Sequence, residues 1–589
     1  VPSRRPAALA AAARAARAAR PVVVACAALV ACAAFAGVAA AEPVQLLPGV
    51  TYERQATLTP RGPVVLNVIT APRPGGLLTL EPVLSNDAVP GAETLTSIQK
   101  RLSATATSIG VAGDFATKEG RPLGLVLRNG ALQHAPLSTR SSAGIDATGT
   151  LRADRLRLLG TWQGAGPRRL LSAVNESPTA NQLTVFTPAW GPTTPAVNGT
   201  VEIVIQPFPA AAPGGELTGT VTTVAFGGGS VIPPDGVVLV ARGSSATNAN
   251  REAQVGQQVK LRLILRPDWA GVLNGIGGGP QLVKGGVAIY RPADGFTRAA
   301  LLARGPRSAV GQRQDGTLLL VTVDGGRPGT SVGMTSFELA QAMVRLGAVT
   351  AVGLVDGPSA TMGFNGTLLS RPHPAETPIS TALLLVYRGV YVPQTAPVLS
   401  PNGDGANDVI ALSYKAVRQS EVTATLTGPD GQAVLGDAGQ RAPQSYAFSW
   451  AGVGAGGAPA PEGLYRWVVA ATDDQGVRSS MERTFVLNRT LGRLRATAVL
   501  RTSRAIAQPV AAYELTRQAR VAVTILSPAG VLVARLPVQS LAAGAQVVAW
   551  DGRDVNGGAV APGRYTVRVT ADNDLGGVSQ TTALVVRRA

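Results

Sequence analysis

The chain has 589 residues, with 53 Lys and Arg against 35 Asp and Glu for a formal charge of +18, and only 2 Cys and 2 His. Both cysteines, Cys26 and Cys32, fall in the first segment, so the rest of the chain has no disulfide, thiol nucleophile or cysteine-held metal. His134 and His373 are too few for a multi-histidine metal site and nearly exclude a Ser-His-Asp triad, which leaves catalysis to Asp, Glu, Arg, Ser, Thr and backbone amides.

Residues 1–41 open with Arg4, Arg5, Arg14, Arg17 and Arg20 and no acid, followed by an apolar run and small residues at Ala39 and Ala41. That order predicts a secretory signal cleaved before Glu42. Two alternatives stay open. Leu29–Cys32 reads as a lipobox with Cys32 acylated, and the apolar run, about 20 residues long, has the length of a retained anchor helix. All three export the remainder, and cleavage leaves a charge of +13. The arginines are scattered, aromatics make up 4%, and no basic cluster interleaves with rings, so no nucleic-acid partner is expected. A solvated surface accounts for the charge. The functional alternative is attraction to an anionic envelope polymer or a phosphate-bearing substrate.

From 44 to 392 short β-branched runs end at Gly, Pro or Asn, as in VVLNVIT (64–70), LTVFT (183–187), VEIVIQ (201–206) and VKLRLIL (259–265). Apolar spacing predicts a helix over 93–104. A second is predicted over 335–346, where Thr335 stands three residues before Glu338 as in a capping box and Gly347 closes the run. The expectation for this domain is an α+β fold with a mixed, largely antiparallel sheet. Residues 207–251, rich in Gly, Pro and Ser, read as a looser insertion or a small subdomain.

After Pro393 the helical signals stop and a repeat begins. WAGVGAGGAPAPEGLYRWVVAATDDQG (450–476) and WDGRDVNGGAVAPGRYTVRVTADNDLG (550–576) place Trp450 and Trp550, Gly463 and Gly563, and Tyr465 and Tyr565 at one offset. Each copy, about 95 residues of short alternating strands, predicts an all-β immunoglobulin-like sandwich, at 393–488 and 489–589. The copies resemble the immunoglobulin-like domains of flagellar-hook-cap type found on exported bacterial proteins. The segment 400–408 that opens the first copy sets Asn402, Asp404 and Asp408 on a Gly-rich loop. Two readings stand there, a calcium loop and a turn whose side chains cap the backbone.

The 44–392 segment carries a second resemblance. VTYERQ (50–55), GVAGDF (110–115), GRPLGLVLRNG (120–130), GGGPQLVKGG (277–286), RSAVG (307–311), LLLVTVDGGRPGTSVGMTSFE (318–338), GAVTAVGLVDGPSATM (347–362) and FNGTLLSRPHPAETPISTALLLV (364–386) occur in this order. Together they resemble the phosphodiester glycosidase family, which includes the enzyme that uncovers mannose 6-phosphate by removing N-acetylglucosamine from a phosphodiester. The resemblance implies an exported hydrolase that cleaves a sugar from a glycosyl phosphodiester in envelope or extracellular polysaccharide, with no cofactor required. It implies Asp356 and Asp114 as carboxylates beside the sugar and Ser359 as a catalytic hydroxyl. Arg307 and Arg327 would hold phosphate, and Asp324, Gly357, Thr361, Gly278 and Glu376 would line the substrate site. Each has a plainer reading. Asp114 would cap a turn, Asp324-Gly325-Gly326 would be a hairpin turn, and Arg307 a surface arginine.

Three positions depart from the family pattern. The site loop is Val355-Asp356-Gly357-Pro358-Ser359, one residue short and with a proline. Ala112 stands where the family has Asn, and Thr377 where it has Arg. These departures support another function class, a carbohydrate-binding or adhesive surface protein without turnover. A third class takes all three domains as display. Sugar, aglycone, attachment mode and oligomeric state are left open by the sequence.

Overall fold

The computed structural model describes residues 39–588 except 41, 291, 293, 497–498 and 502–505. The expected export signal, 1–41, lies outside the described residues apart from Ala39–Ala40, which pairs with Gln55 and Ala56. No helix among the described residues is long and apolar enough to cross a membrane.

The chain is multidomain and mostly β. The α+β expectation for 44–392 therefore needs correction, because the helices are short and few against several sheets. Among the described residues the helices are α1 (Leu95–Leu102), α2 (Ser244–Glu252), α3 (Arg298–Leu302) and α4 (Ser336–Arg345). The α4 capping box forms as predicted. The Thr335 hydroxyl accepts from the Glu338 N–H, and the Glu338 carboxylate accepts from the Thr335 N–H. Of the two readings of 207–251, neither a loose insertion nor a separate subdomain is found, because the segment is regular and part of a larger sheet. It supplies the 11-residue strand Glu216–Phe226, the strand Val237–Arg242 and α2. These strands join an eight-stranded sheet spanning 157–266, whose Val, Ile and Leu rows bury Trp162 and Ile203 on one side and Phe186 in a smaller cluster.

Two other sheets position the site. In the nine-stranded one, neighbouring strands are Val50–Thr59, Gly62–Ala71, Leu318–Val323, Arg307–Arg313 and Ala348–Asp356, all antiparallel. In a five-stranded one, Met362–Phe364, Thr107–Ala112, Thr381–Tyr387 and Leu78–Leu84 are adjacent. The strands at the centre of both are buried on two faces, so they read as continuous apolar runs (LLLVTV, TALLLVY) rather than alternating ones.

The two C-terminal copies are both sandwiches, and their conserved-offset residues do matching work. Trp450 and Trp550 donate from Nε1 to the carbonyls of Val453 and Arg553, and the Tyr465 and Tyr565 hydroxyls donate to those of Pro461 and Ala561. Their attachment differs. One apolar core runs unbroken from Leu46 through Tyr391 and Leu399 to Leu487, which joins the first copy to the 44–392 segment. Arg483, buried, donates to the carbonyls of Val392 and Leu46 at 3.1 Å each, and Lys415 Nζ donates to those of Ser103 and Ala106. The second copy has a core of its own, from Leu491 to Val586.

Candidate functional site

At one end of the nine-stranded sheet, Arg307 begins its strand and is flanked in register by Val323 and Asp356, the last residues of theirs. Asp324 follows Val323, its N–H donating to the Val65 carbonyl. The five-stranded sheet ends its Thr107–Ala112 strand at the same rim. One backbone bond joins the sheets there, Val355 N–H to the Gly113 carbonyl (2.8 Å), and a second, Ala112 N–H to the Thr361 carbonyl (3.0 Å), extends the pairing within the five-stranded sheet. Asp114 and Asp356 each lie one residue beyond the first of these bonds. Antiparallel order thus gathers Asp114, Asp324, Asp356 and Arg307 from four separate stretches of chain.

Arg307 is not a surface arginine. It is 7% exposed, and its guanidinium donates to the Asp356 carboxylate (2.5 Å) and to the carbonyls of Ala300 (3.1 Å), Ala303 (2.5 Å) and Met334 (3.3 Å). Burial pushes its pKa down, opposed by the charge of Asp356. With these donors turned inward, Arg307 stands behind the carboxylate instead of presenting a fork to phosphate. The Asp356 side chain remains 37% exposed. A buried cation under an open carboxylate is the central geometry of the site.

Asp114 is the opposite case, fully enclosed. Its carboxylate accepts from the N–H groups of Phe115 (2.8 Å) and Gly124 (2.6 Å). Burial pushes its pKa up to about 6, while those two N–H groups and Arg140 pull the other way. Glycine is required around it, since a Cβ at Gly277 would sit 2.4 Å from its Oδ2. As placed, Asp114 organises the 114–124 loop.

Asp324 does not turn a hairpin. Its Oδ1 accepts from Asn67 Nδ2 (2.9 Å) and the Arg371 N–H (3.0 Å), while Oδ2 is buried without a hydrogen-bond partner among the described residues. Asn67, fully buried, accepts in turn from the Tyr52 hydroxyl at 3.0 Å. Burial raises the Tyr52 pKa, with Arg54 and Arg371 opposing and Asp324 assisting. Nearby, Arg327 Nε donates to His373 Nδ1 at 3.2 Å, and Arg371 is exposed.

The remaining expected residues have more structural settings. The Thr361 hydroxyl, buried, donates to the Ser359 carbonyl, and Ser359 Oγ lies 3.0 Å from Thr377 Oγ1. Gly357 adopts φ 66, which suits glycine, and donates to the Pro306 carbonyl. Gly278 allows close strand packing, since a Cβ there would lie 2.5 Å from the Gly353 carbonyl oxygen. Glu376 faces α1, not the rim: its carboxylate accepts from the Thr96 N–H (3.0 Å) and hydroxyl (2.7 Å), satisfying a free amide of the first helical turn.

The 402–408 loop is a hydrogen-bonded turn. Asp408 accepts from the N–H groups of Asn402, Gly403 and Gly405 at 2.7–2.8 Å, Asn402 Oδ1 from Asp404, and Asp404 Oδ1 from Ala406. Burial alone would raise the Asp408 pKa, but the three amides outweigh it and hold it low. Among the described residues, no group of three or more His, Cys, Asp or Glu is placed to hold a metal.

Sequence reasoning missed Asn67, Tyr52 and Arg371. The signal for Asn67 was present, a lone amide in the apolar run VVLNVIT. Also missed was Arg140, whose Cζ lies 4.6 and 4.3 Å from the ring centroids of Phe115 and Phe296.

Residues 210–386 match the phosphodiester glycosidase family. Arg307, Asp324, Arg327 and Asp356 lie inside the match, whereas Asp114 lies before it and is brought in by sheet pairing. Residues 503–574, in the second copy, match the FlgD Ig-like domain. The SPbeta prophage-derived uncharacterized protein YomE of Bacillus subtilis (strain 168) is 36% identical over 80 residues, which are 14% of this chain and 12% of that protein. A hypothetical protein from Synechocystis superposes with a TM-score of 0.50 at 24% identity, over 59% of this chain and 63% of that one. The zebrafish N-acetylglucosamine-1-phosphodiester alpha-N-acetylglucosaminidase catalytic domain aligns over 57% of this chain and 82% of its own, with 13% identity and a TM-score of 0.31. The chain therefore spans less than two thirds of the first two relatives. Structural likeness at these identities speaks to the fold alone.

Proposed function

We propose that the chain is an exported hydrolase whose phosphodiester glycosidase segment, with the strands that complete it, cleaves a sugar from a glycosyl phosphodiester. The observation that carries this reading is the solvent-open Asp356 carboxylate over the buried Arg307, on a rim that also bears Arg327 and Arg371. In the reaction, the bond between the anomeric carbon and the phosphate oxygen breaks, and its electron pair leaves with the phosphate. Water then supplies a hydroxyl to the carbon and releases its other proton to solvent. Asp356, oriented by Arg307, faces the positive charge that develops on the sugar. Arg327 and Arg371 neutralise the departing phosphate, which needs little acid assistance because it is already a good leaving group.

A second reading has one specific observation in its favour. Ser359 Oγ is engaged by Thr377, at the position where the resemblance leads one to expect an arginine. In that reading the rim binds sugar phosphate without turnover. The full-length protein, incubated with a panel of sugar-1-phosphodiesters, is expected to release free sugar, and Asp356→Ala to abolish release while leaving the melting temperature near that of the parent. Silence of the folded parent across the panel overturns the hydrolase reading. Glycan-array binding without product would establish the second.

A further inference from the structure

Of the two sandwich copies, only the second carries a net positive charge. Residues 393–488 carry six basic residues against nine acids, whereas 489–589 carry thirteen arginines against five acids. The second copy's six-stranded sheet includes Leu500–Arg501, Gly576–Arg587, Gly563–Asn573, Ala519–Leu526 and Leu532–Arg535, in that spatial order. Strand alternation puts one set of side chains in the core and the other in solvent. Arg501, Arg520, Arg535, Arg564, Arg568 and Arg587 are all exposed. Register puts them on the solvent face: Arg501 beside Arg587, Arg568 and Arg535 on either side of Thr524, and Arg520 opposite Asp572, the one acid of this face among the described residues.

The first copy supplies the control. Matching register partners place Glu421 where the second copy has Arg520 and Val468 where it has Arg568. By the same pairing Leu464 corresponds to Arg564, Gly436 to Arg535, Ser400 to Arg501 and Asn488 to Arg587. None of the six is basic in the first copy. The fold therefore does not need arginine at any of these positions. None of the six takes part in an ion pair among the described residues, where the second copy's pairs use Arg493 and Arg517.

Spacing and chemistry indicate the partner. Arg564 and Arg568 lie about 13 Å apart along one strand, and Arg568 and Arg535 about 10 Å apart across two. Between them stand hydroxyls, those of Thr524, Thr566, Thr570, Ser579 and Thr581, with Thr570 and Ser579 hydrogen-bonded at 2.8 Å. Guanidinium groups spaced among hydroxyls suit a polymer that alternates phosphate with polyol. The face has no aromatic ring among its described residues on which nucleobases would stack, and none of the aromatic anchors that seat proteins in a membrane interface.

We propose that this face binds a phosphate-bearing polysaccharide and tethers the chain to it, whether or not the rim of Asp356 is catalytic. The test is retention of the full-length protein on immobilised poly(glycerol phosphate), with neutral dextran as the control and salt as the variable. Retention is expected at low salt and loss at high salt, with none on dextran. The triple variant Arg520→Glu, Arg564→Leu and Arg568→Val, which restores first-copy residues, should lose on the order of tenfold or more in affinity. A milder pair, Arg535→Gln with Arg587→Gln, should lose less and keep the parent's melting temperature. Asp356→Ala should be retained like the parent. Unchanged retention of both arginine variants, equal binding to dextran, or tighter binding to phosphatidylglycerol vesicles or single-stranded DNA than to the polymer would each overturn the proposal.

Discussion

The two sandwich copies share a fold and a core design but differ in what they leave on their open faces. In the first, Lys415 and Arg483 point into the neighbouring domain and end on its carbonyls. In the second, Arg489 and Arg517 reach the first copy, but six other arginines are exposed and enter no ion pair among the described residues. A repeat unit can thus serve as a joint or as a free surface without altering its core, because alternation separates what packs from what is presented. The Trp and Tyr positions specify the module, and the outward rows specify its use.

The comparison can be broken most severely at the core. Trp450→Ala and Trp550→Ala each remove a nearly buried indole and should each cost about 3–5 kcal/mol. Their signatures in calorimetry should differ. The Trp450 change should lower the transition of the 44–392 segment too, whereas the Trp550 change should lower a separate one. A single shared transition for both variants would show that the copies are not differently attached. Next in size is Arg483→Leu. It leaves two carbonyls without their donor and should cost about 1–3 kcal/mol, against about 0.5 kcal/mol or less for Arg568→Val on the open face. Chemical denaturation of the two variants measures the contrast directly.

The smallest expected effect is a pH dependence. Burial pushes Lys415 down to about 8 from an ordinary 10.5. Between these values the unfolded chain binds the proton that the folded chain has released, so this group's contribution to stability rises with pH through the window and is lost as pH falls through about 8. Lys415→Met should remove that rise. Melting temperatures of parent and variant, compared in steps from pH 7 to pH 11 (roughly the window and its margins), check it, and parallel curves would exclude the joint as the source.

Local signals were legible in the sequence, and long-range ones were not. The Thr335–Glu338 capping box, the repeated Trp and Tyr positions and the placing of Asp356 at a strand end all depend on residues near one another in the chain. Helix α2 was hidden because SSATNANRE has few apolar residues and only its alanines and Glu252 are buried. Arg307 looked free to meet a ligand because its carbonyl partners come from α3 and the turn before α4, outside any local pattern. Glu376 looked like a site residue until the fold brought Thr96, 280 positions away, to its carboxylate. The turn at 402–408 and a calcium loop need the same side chains, so no local pattern separates the two readings.

The unbroken core from Leu46 to Leu487 also bears on how such chains vary over evolution. A unit whose lysine and arginine terminate on another domain's backbone cannot be exchanged by recombination at residue 392 without stranding groups on both sides of the cut. The second copy begins after that core closes but is also tied to its neighbour, since Arg489 donates to the carbonyls of Gly452 and Ala460 and Asn488 to those of Leu575 and Gly576. The first copy is therefore expected to be inherited with the domain it is joined to, and a module exchanged beyond residue 488 is expected to bring its own partners for Asn488, Gly452 and Ala460.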